Sequence, residues 1–323
     1  MTLASYNIQK HKTNRKEKKM LKNLFIRENL KWKGVKRMRK ILVFVLMMSI
    51  IVIAWSGADA GTIWGNSASF TGVDIEAFDS STGALQKQFR GVSGNGRAIV
   101  VIGNTIYYTR TSDPNIYKMD ATTGAAMGSI LTTNASMSTL AWDGSTFWTA
   151  DYSGTARAFQ IDPNTGLNIK TITLGTGTFK DGLEYFFGKL IANRGDAVSP
   201  GNYDIYDLDG NLIDDAFITT GKSSTGIAYD GTDFYVSNIF DRTIDVFAGD
   251  TGSYLRTIDL TSGNPLSLPN PPGGRLIEDL SVDYAERPDT GGDVPEPATL
   301  LLLGSGLIGV GFARKRFIKN NQN

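Results

Sequence analysis

The sequence predicts an all-β protein, a β-propeller of about five four-stranded blades, or six if a Pro-rich stretch at 261–275 adds strands. It also predicts an N-terminal signal helix and a C-terminal transmembrane helix. Three observations carry these predictions: an internal repeat near 42 residues long, strand-turn-strand patterning inside each repeat, and an apolar run beside basic residues at each end of the chain.

The repeat is defined by two kinds of turn. The first is Asp-x-x-Thr-Gly at 79–83, 120–124 and 162–166, with degenerate copies at 207–210 and 248–252, and its glycines recur every 41 to 44 residues. The second is a Gly turn between two apolar segments, at Gly103, Gly144, Gly188 and Gly231, with the same spacing. Two independent turns in phase over four or five copies indicate repeats of one structural unit.

The pattern within each unit predicts two antiparallel hairpins. In the last full copy, residues 225–229 lead through an Asp-Gly turn to 233–237, and 243–247 lead through a Thr-Gly turn to 254–258. Alternating apolar and polar residues with β-branched and aromatic side chains favour strands. Four short strands in about 42 residues match one propeller blade.

The positions in the repeat at which the domain begins and ends predict a closed ring within residues 61–290. Residues 61–66 align with the second strand of a unit, and Leu280–Tyr284 align with the first. A last strand that completes the first blade would remove the open sheet edges. We therefore expect five blades, one shared by both ends of the domain, with 261–275 as a surface loop and the protein a monomer.

The Asp-x-x-Thr-Gly turns resemble those of quinoprotein-type propellers. Those repeats place a Trp soon after the Gly, whereas residues 84–89, 125–130 and 167–172 contain none. The resemblance therefore implies the architecture only, and we expect no cofactor.

The N-terminal end is strongly basic. Residues 1–40 hold 14 basic and two acidic side chains, whereas 61–293 hold 15 basic and 28 acidic ones, a net charge of −13. Within 38–60, a basic start, an apolar run at 41–55 and a small-residue end form a signal-peptide pattern, with Ala58 and Ala60 preceding cleavage before Gly61. The alternative to a cleaved signal peptide is an uncleaved anchor.

The true start is expected at Met38, so that 1–37 is an extension outside the protein. The alternative for 1–37 is a basic arm that binds nucleic acid or anionic lipid.

The residue types available for chemistry are few. The chain has no Cys, and its single His, His11, lies before the predicted cleavage site. Thiolate chemistry, imidazole bases and Cys- or His-ligated metals are thereby excluded from the mature domain. Carboxylates, Lys, Tyr, Ser and Thr remain.

The C-terminal end has three parts. A linker from 291 contains Pro295, Glu296 and Pro297; an apolar run covers 298–313; and Arg314, Lys315 and Arg316 open a basic tail at 314–323. The basic cluster favours a cytoplasmic C-terminus with the preceding domain outside. The order resembles the PEP-CTERM sorting signal of Gram-negative bacteria. That resemblance implies export by way of signal peptidase, transient anchoring in the inner membrane, processing by an exosortase-type enzyme, and delivery to the cell surface or beyond it.

Two sets of residues are candidate sites. A polar residue closes the second strand of each unit, and repeat symmetry places these as a ligand rim or as local turn hydrogen bonds: Asn66, Arg110, Asp151, Asn193 and Asn238. The segment with Asp207, Asp209 and Asn211 offers oxygens for calcium, although its Gly is at the fourth position, not the sixth, so a plain hairpin is the alternative.

The function predicted from these features is an exported surface or matrix protein whose propeller is an interaction module without catalytic residues. A polysaccharide ligand is implied by the sorting family, and we expect no nucleic-acid partner. The alternative is an extracytoplasmic hydrolase or lyase that uses carboxylates, with or without calcium. Carboxylates from different blades meeting at the channel mouth would favour the alternative.

Overall fold

The computed structural model describes residues 61–68, 74–175, 179–195, 201–260 and 276–290. The predicted extension 1–37, signal peptide 38–60, loop 261–275 and the whole tail from 291 lie outside the described residues. Among the residues that are described, no helix is long and apolar enough to cross a bilayer.

Within these described ranges, twenty strands form five four-stranded antiparallel sheets, each a simple meander. The strands of the second and third blades are β4 (Gly96–Ile102), β5 (Thr105–Arg110), β6 (Asn115–Asp120), β7 (Ala126–Leu131), β8 (Met137–Trp142), β9 (Phe147–Asp151), β10 (Arg157–Ile161) and β11 (Asn168–Thr173). Those of the fourth and fifth are β12 (Leu183–Phe186), β13 (Lys189–Asn193), β14 (Gly201–Asp207), β15 (Leu212–Thr220), β16 (Ser224–Tyr229), β17 (Asp233–Asn238), β18 (Thr243–Ala248) and β19 (Tyr254–Asp259).

The first blade closes the ring. Its strands are β1 (Thr62–Ser67), β2 (Asp74–Asp79), β3 (Leu85–Arg90) and, from the far end of the domain, β20 (Ile277–Ser281), in the order β20-β1-β2-β3. The predicted closure and the five-blade arrangement are therefore confirmed. The predicted bounds of the closing strand were wrong by three residues, because Asp283 caps a 3₁₀ turn at Tyr284–Glu286 by accepting a hydrogen bond from the amide of Ala285.

The hydrophobic core lies between blades. Five separate clusters of buried side chains each join two neighbouring blades, and one of them packs the fifth blade directly on the first. The first strand of each blade is buried along almost its whole length, whereas the fourth strands β7, β11 and β19 are mostly exposed. Because the fifth blade packs on the first, the ring has no place for a sixth.

The Thr-Gly turns dock each blade on the one before it. In the first, Asp79 Oδ1 accepts hydrogen bonds from the amides of Ser81 and Thr82 at 3.0 and 2.8 Å, which fixes the turn locally. The turn glycines have φ between 63° and 89°, and a Cβ on any of them would come closer than 3.0 Å to the fourth strand of the preceding blade: Gly83, Gly124, Gly166, Gly210 and Gly252. Glycine contacts therefore lie at all five junctions between blades.

Candidate functional site

The two ends of the ring differ in what they carry. We call the end where each second strand finishes and the third begins the mouth end, and the end with the hairpins between first and second strands the turn end. Contacts between neighbouring blades join the edges at the mouth end: Ser138 Oγ donates to the carbonyl of Lys180 at 2.5 Å, and Tyr203 Oη donates to the carbonyl of Thr225 at 2.6 Å. These contacts join the mouth-end edges of the third, fourth and fifth blades.

The residues of the predicted rim occupy equivalent positions at the mouth end. Arg110, Asp151, Asn193 and Asn238 are the last residues of β5, β9, β13 and β17, and Asn66 is the last but one of β1. The placement agrees with the repeat symmetry. Whether they contact a ligand stays a prediction.

The three asparagines of this set form internal hydrogen bonds. Asn66 is fully buried and its Nδ2 donates to the carbonyls of Ala98 and Thr109 at 2.9 and 3.2 Å, which joins the first blade to the second. Asn193 Oδ1 accepts from the amide of Asp181 at 2.8 Å. The side chain of Asn238, also buried, donates to Thr243 Oγ1 at 3.2 Å.

The charged members belong to a rim of ion pairs. In each pair the carboxylate is nearly buried, with 5 to 6% of its side chain exposed, and the cation is 14 to 43% exposed. The pairs are Arg97–Glu278, Arg110–Asp113, Arg157–Asp151, Arg194–Asp204 and Lys222–Asp245. A buried carboxylate fixes the cation, and the remaining N–H donors of an arginine stay available for a ligand.

Asp113 shows how firmly these carboxylates are held in the ionised form. Burial alone would raise its pKa, but hydrogen bonds from Tyr117, Asn115 and Arg110 hold that pKa well below its ordinary value. The same balance lowers the pKa of Asp151, whose Oδ2 accepts from Arg157 at 2.7 Å.

Side chains from four blades meet nearer the axis. The guanidinium of Arg97, on β4, pairs with Glu278 of β20 and lies 4.6 Å from the ring centre of Tyr152, which follows β9. The Tyr152 ring lies 4.6 Å from that of Phe179, in the link to β12, and Tyr152 is 39% exposed. We call Arg97, Tyr152, Phe179 and Glu278 the mouth cluster. It combines an accessible aromatic ring, a fixed donor and a fixed acceptor.

The axis behind the mouth cluster is filled by Asp279. This carboxyl is fully buried, and its Oδ2 accepts from the amides of Ile99 and Leu140 at 3.1 and 3.4 Å and from Thr139 Oγ1 at 3.2 Å. Burial raises its pKa well above the ordinary value, although these hydrogen bonds oppose the shift. Asp279 therefore joins the inner strands of three blades.

The predicted calcium segment is a hairpin turn. Both carboxylate oxygens of Asp207 accept from Asn211, Oδ1 from its amide and Oδ2 from Nδ2, each at 2.8 Å, and Gly210 has a φ of 89°. The carboxylate of Asp209 accepts from Lys170 of the preceding blade at 2.5 Å. Within the described ranges, no group of three or more acidic or histidine side chains is placed to hold a metal ion.

Sequence reasoning missed the mouth cluster, because its members are far apart in the chain and do not share a repeat position. One signal was present: Glu278 and Asp279 are adjacent acids in a strand whose other side chains include Ile277 and Leu280. Two adjacent acids between apolar residues of one strand indicate a polar site at that position.

Comparison with known proteins supports the sorting assignment. Residues 293–316 match the PEP-CTERM protein-sorting motif, which confirms the resemblance. The motif implies that the protein is exported, anchored in the membrane before processing, and processed by an exosortase. No curated protein matches the chain.

Two solved structures are similar in fold. One is the nidogen/laminin complex, at 11% identity and a TM-score of 0.44, covering 69% of this chain and 97% of the other. The other is the glutaminyl cyclase of Myxococcus xanthus, at 14% identity and a TM-score of 0.44, covering 57% of this chain and 87% of the other. Likenesses this weak say nothing about what the chain binds.

Proposed function

We propose that the exported propeller is a binding module that holds extracellular polysaccharide at its mouth end. The observation that carries the proposal is the mouth cluster, where Tyr152 is 39% exposed between Arg97 and Phe179. The apolar face of an aromatic ring packs against the C–H face of a sugar, while nearby donors and acceptors bind its hydroxyls. Arg97 supplies donors, and its pairing with the buried Glu278 holds the guanidinium in place.

The surroundings of the cluster favour a polymer over a small molecule. The rim of ion pairs adds exposed donors in several blades, and Phe240, which is 65% exposed, follows β17 at the same end. Contacts spread over several blades suit a chain of sugars that lies across the ring.

The burial and pairing of the two adjacent acids of β20 favour binding over carboxylate catalysis. Glu278 is 4% exposed and paired with Arg97, and Asp279 is fully buried with its Oδ2 hydrogen-bonded to backbone amides. A glycosidase needs two carboxyl groups that reach opposite sides of the scissile bond. The hydrolase or lyase is therefore the competing outcome of the test.

The test uses the processed protein purified from the culture medium. It is applied to an array of bacterial oligosaccharides and polysaccharides, and the same glycans are incubated with it and analysed for new reducing ends or unsaturated products. The proposal predicts retention on a defined set of glycans without product. Product formation would establish the enzyme alternative, and absence of both retention and product would refute a glycan function.

A further inference from the structure

The chain does not leave the ring directly after the closing strand. Residues 282–290, which we call the strap, continue from β20 across the turn end. Asp283 forms a parallel bridge with Val101 and its Oδ1 accepts from the amide of Gly103 at 2.7 Å, at the first hairpin of the second blade. Tyr284 is 1% exposed and packs in the core cluster between the second and third blades.

The strap is then fixed to the fourth blade by an arginine. Arg287 is 1% exposed; its Nη1 donates to Glu184 Oε1 of β12 at 2.8 Å, and another donor reaches the carbonyl of Tyr185. Asp289 accepts from Arg287 Nη2 at 2.8 Å and from the amide of Phe187 at 3.0 Å. Both ionic partners of the arginine are therefore buried with it and hydrogen-bonded, as a buried ion pair requires.

The last contacts are with the fifth blade. The guanidinium of Arg287 lies 5.4 Å from the ring centre of Tyr229, and Pro288 lies against the turn at Gly231, where a Cβ would be 3.1 Å from the proline Cδ. The strap thus contacts hairpins of the second, fourth and fifth blades, and so covers the turn end of the axis.

This geometry fixes where the sorting signal is attached. The sorting motif matches from residue 293, and the apolar run begins at 298, so only residues 291–297 separate the strap from the predicted anchor. Seven residues span at most about 25 Å when extended, and roughly 15 Å as a flexible chain.

We infer that the anchored precursor is held with its turn end toward the membrane and its mouth end away from it. A compact domain of about 230 residues is roughly 45 Å across. A tether of about 25 Å or less, attached near the axis of one end, therefore restricts the domain from turning that end outward. The mouth cluster then faces away from the membrane from the moment of export. The strap does more than close the fold, because it sets the direction in which the binding face is presented.

The absence of Cys allows a direct test in the full chain. Thr232 and Phe240 are exposed residues at opposite ends of β17, at the turn end and the mouth end, and a six-residue strand separates such positions by about 20 Å. Thr232→Cys and Phe240→Cys precursors, each carrying a donor dye, are reconstituted in phosphatidylethanolamine–phosphatidylglycerol vesicles that contain an acceptor-labelled lipid. Energy transfer is then compared.

The inference predicts at least twofold higher transfer efficiency from position 232 than from position 240. A matched precursor with 20 Gly-Ser residues inserted after position 290 keeps the strap intact and should bring the two efficiencies together. Equal transfer with the native linker, or higher transfer from 240, would overturn the inference. Neither outcome depends on a glycan ligand, so failure here is distinguishable from failure of the proposed function.

Discussion

The docking of each Thr-Gly turn on the preceding blade makes a quantitative prediction at Gly166. Its φ is 72°, and a Cβ there would come closer than 3.0 Å to the carbonyl oxygen of Leu131 at the end of β7. Gly188 is a matched control, because its φ is 74° and nothing lies within 4 Å of its Cβ position. The two Ala substitutions share the strain of a positive φ and differ only in the blade contact.

The shared strain costs about 1 kcal/mol in the free energy of unfolding. Forcing a methyl group into the Leu131 contact adds about 1–3 kcal/mol, the range for overpacking. In a domain of this size, each kcal/mol lost from the free energy of unfolding lowers Tm by about 2–4 °C. Gly188→Ala should therefore lower Tm by about 2–4 °C, and Gly166→Ala by about 4–16 °C.

Differential scanning calorimetry of both variants beside the wild type measures the difference. Denaturant titration provides a second determination of the free energy of unfolding. If the two substitutions lower Tm equally, the glycines are needed only for their φ, and the docking explanation of the repeat spacing is refuted.

The buried carboxyl at the axis should make stability depend on pH, and the Pro-Glu-Pro segment should be needed for processing. Because burial raises the pKa of Asp279, its stabilising contribution is complete below the ordinary carboxyl pKa of about 4 and is lost as pH rises through the folded value. Burial also raises the pKa of Glu184, to about 7 against the pull of Arg287, so Tm should fall as pH rises from about 4 through about 7. Asp279→Asn cannot ionise and should flatten this profile in a calorimetric pH series, and a wild-type slope in the variant would contradict the assignment. Glu296→Ala should leave membrane insertion intact and block processing in pulse-labelled, fractionated cells; release at the normal rate would mean that the Pro-Glu-Pro segment is only a linker.

The ring could be predicted from the sequence because its turns are encoded locally. An Asp side chain caps the Thr-Gly turns at 79–83, 120–124 and 162–166, and the glycine supplies the positive φ, so both recur at a fixed spacing. The bounds of β20 were shifted because Leu280–Tyr284 alternates like a strand, while the contact that ends the strand, Asp283 with Gly103, joins residues 180 positions apart.

The candidate site could not be predicted, because its residues are also far apart in the chain. Arg97 and Glu278 are 181 residues apart, and Tyr152 and Phe179 come from connections between strands. Repeat symmetry finds positions that all blades share, such as the second-strand ends. It does not find a cluster whose members occupy different positions in the repeat.

The central claim, that the mouth end binds polysaccharide, is tested most directly by equilibrium binding of a glycan retained on the array. Wild type is compared with Tyr152→Ala and with Phe187→Ala, which removes a 57% exposed aromatic side chain at the turn end. We expect saturable binding that Tyr152→Ala weakens at least tenfold, a loss of about 1.4 kcal/mol, and that Phe187→Ala leaves unchanged. Equal affinity of Tyr152→Ala and wild type, with both proteins folded, would contradict it.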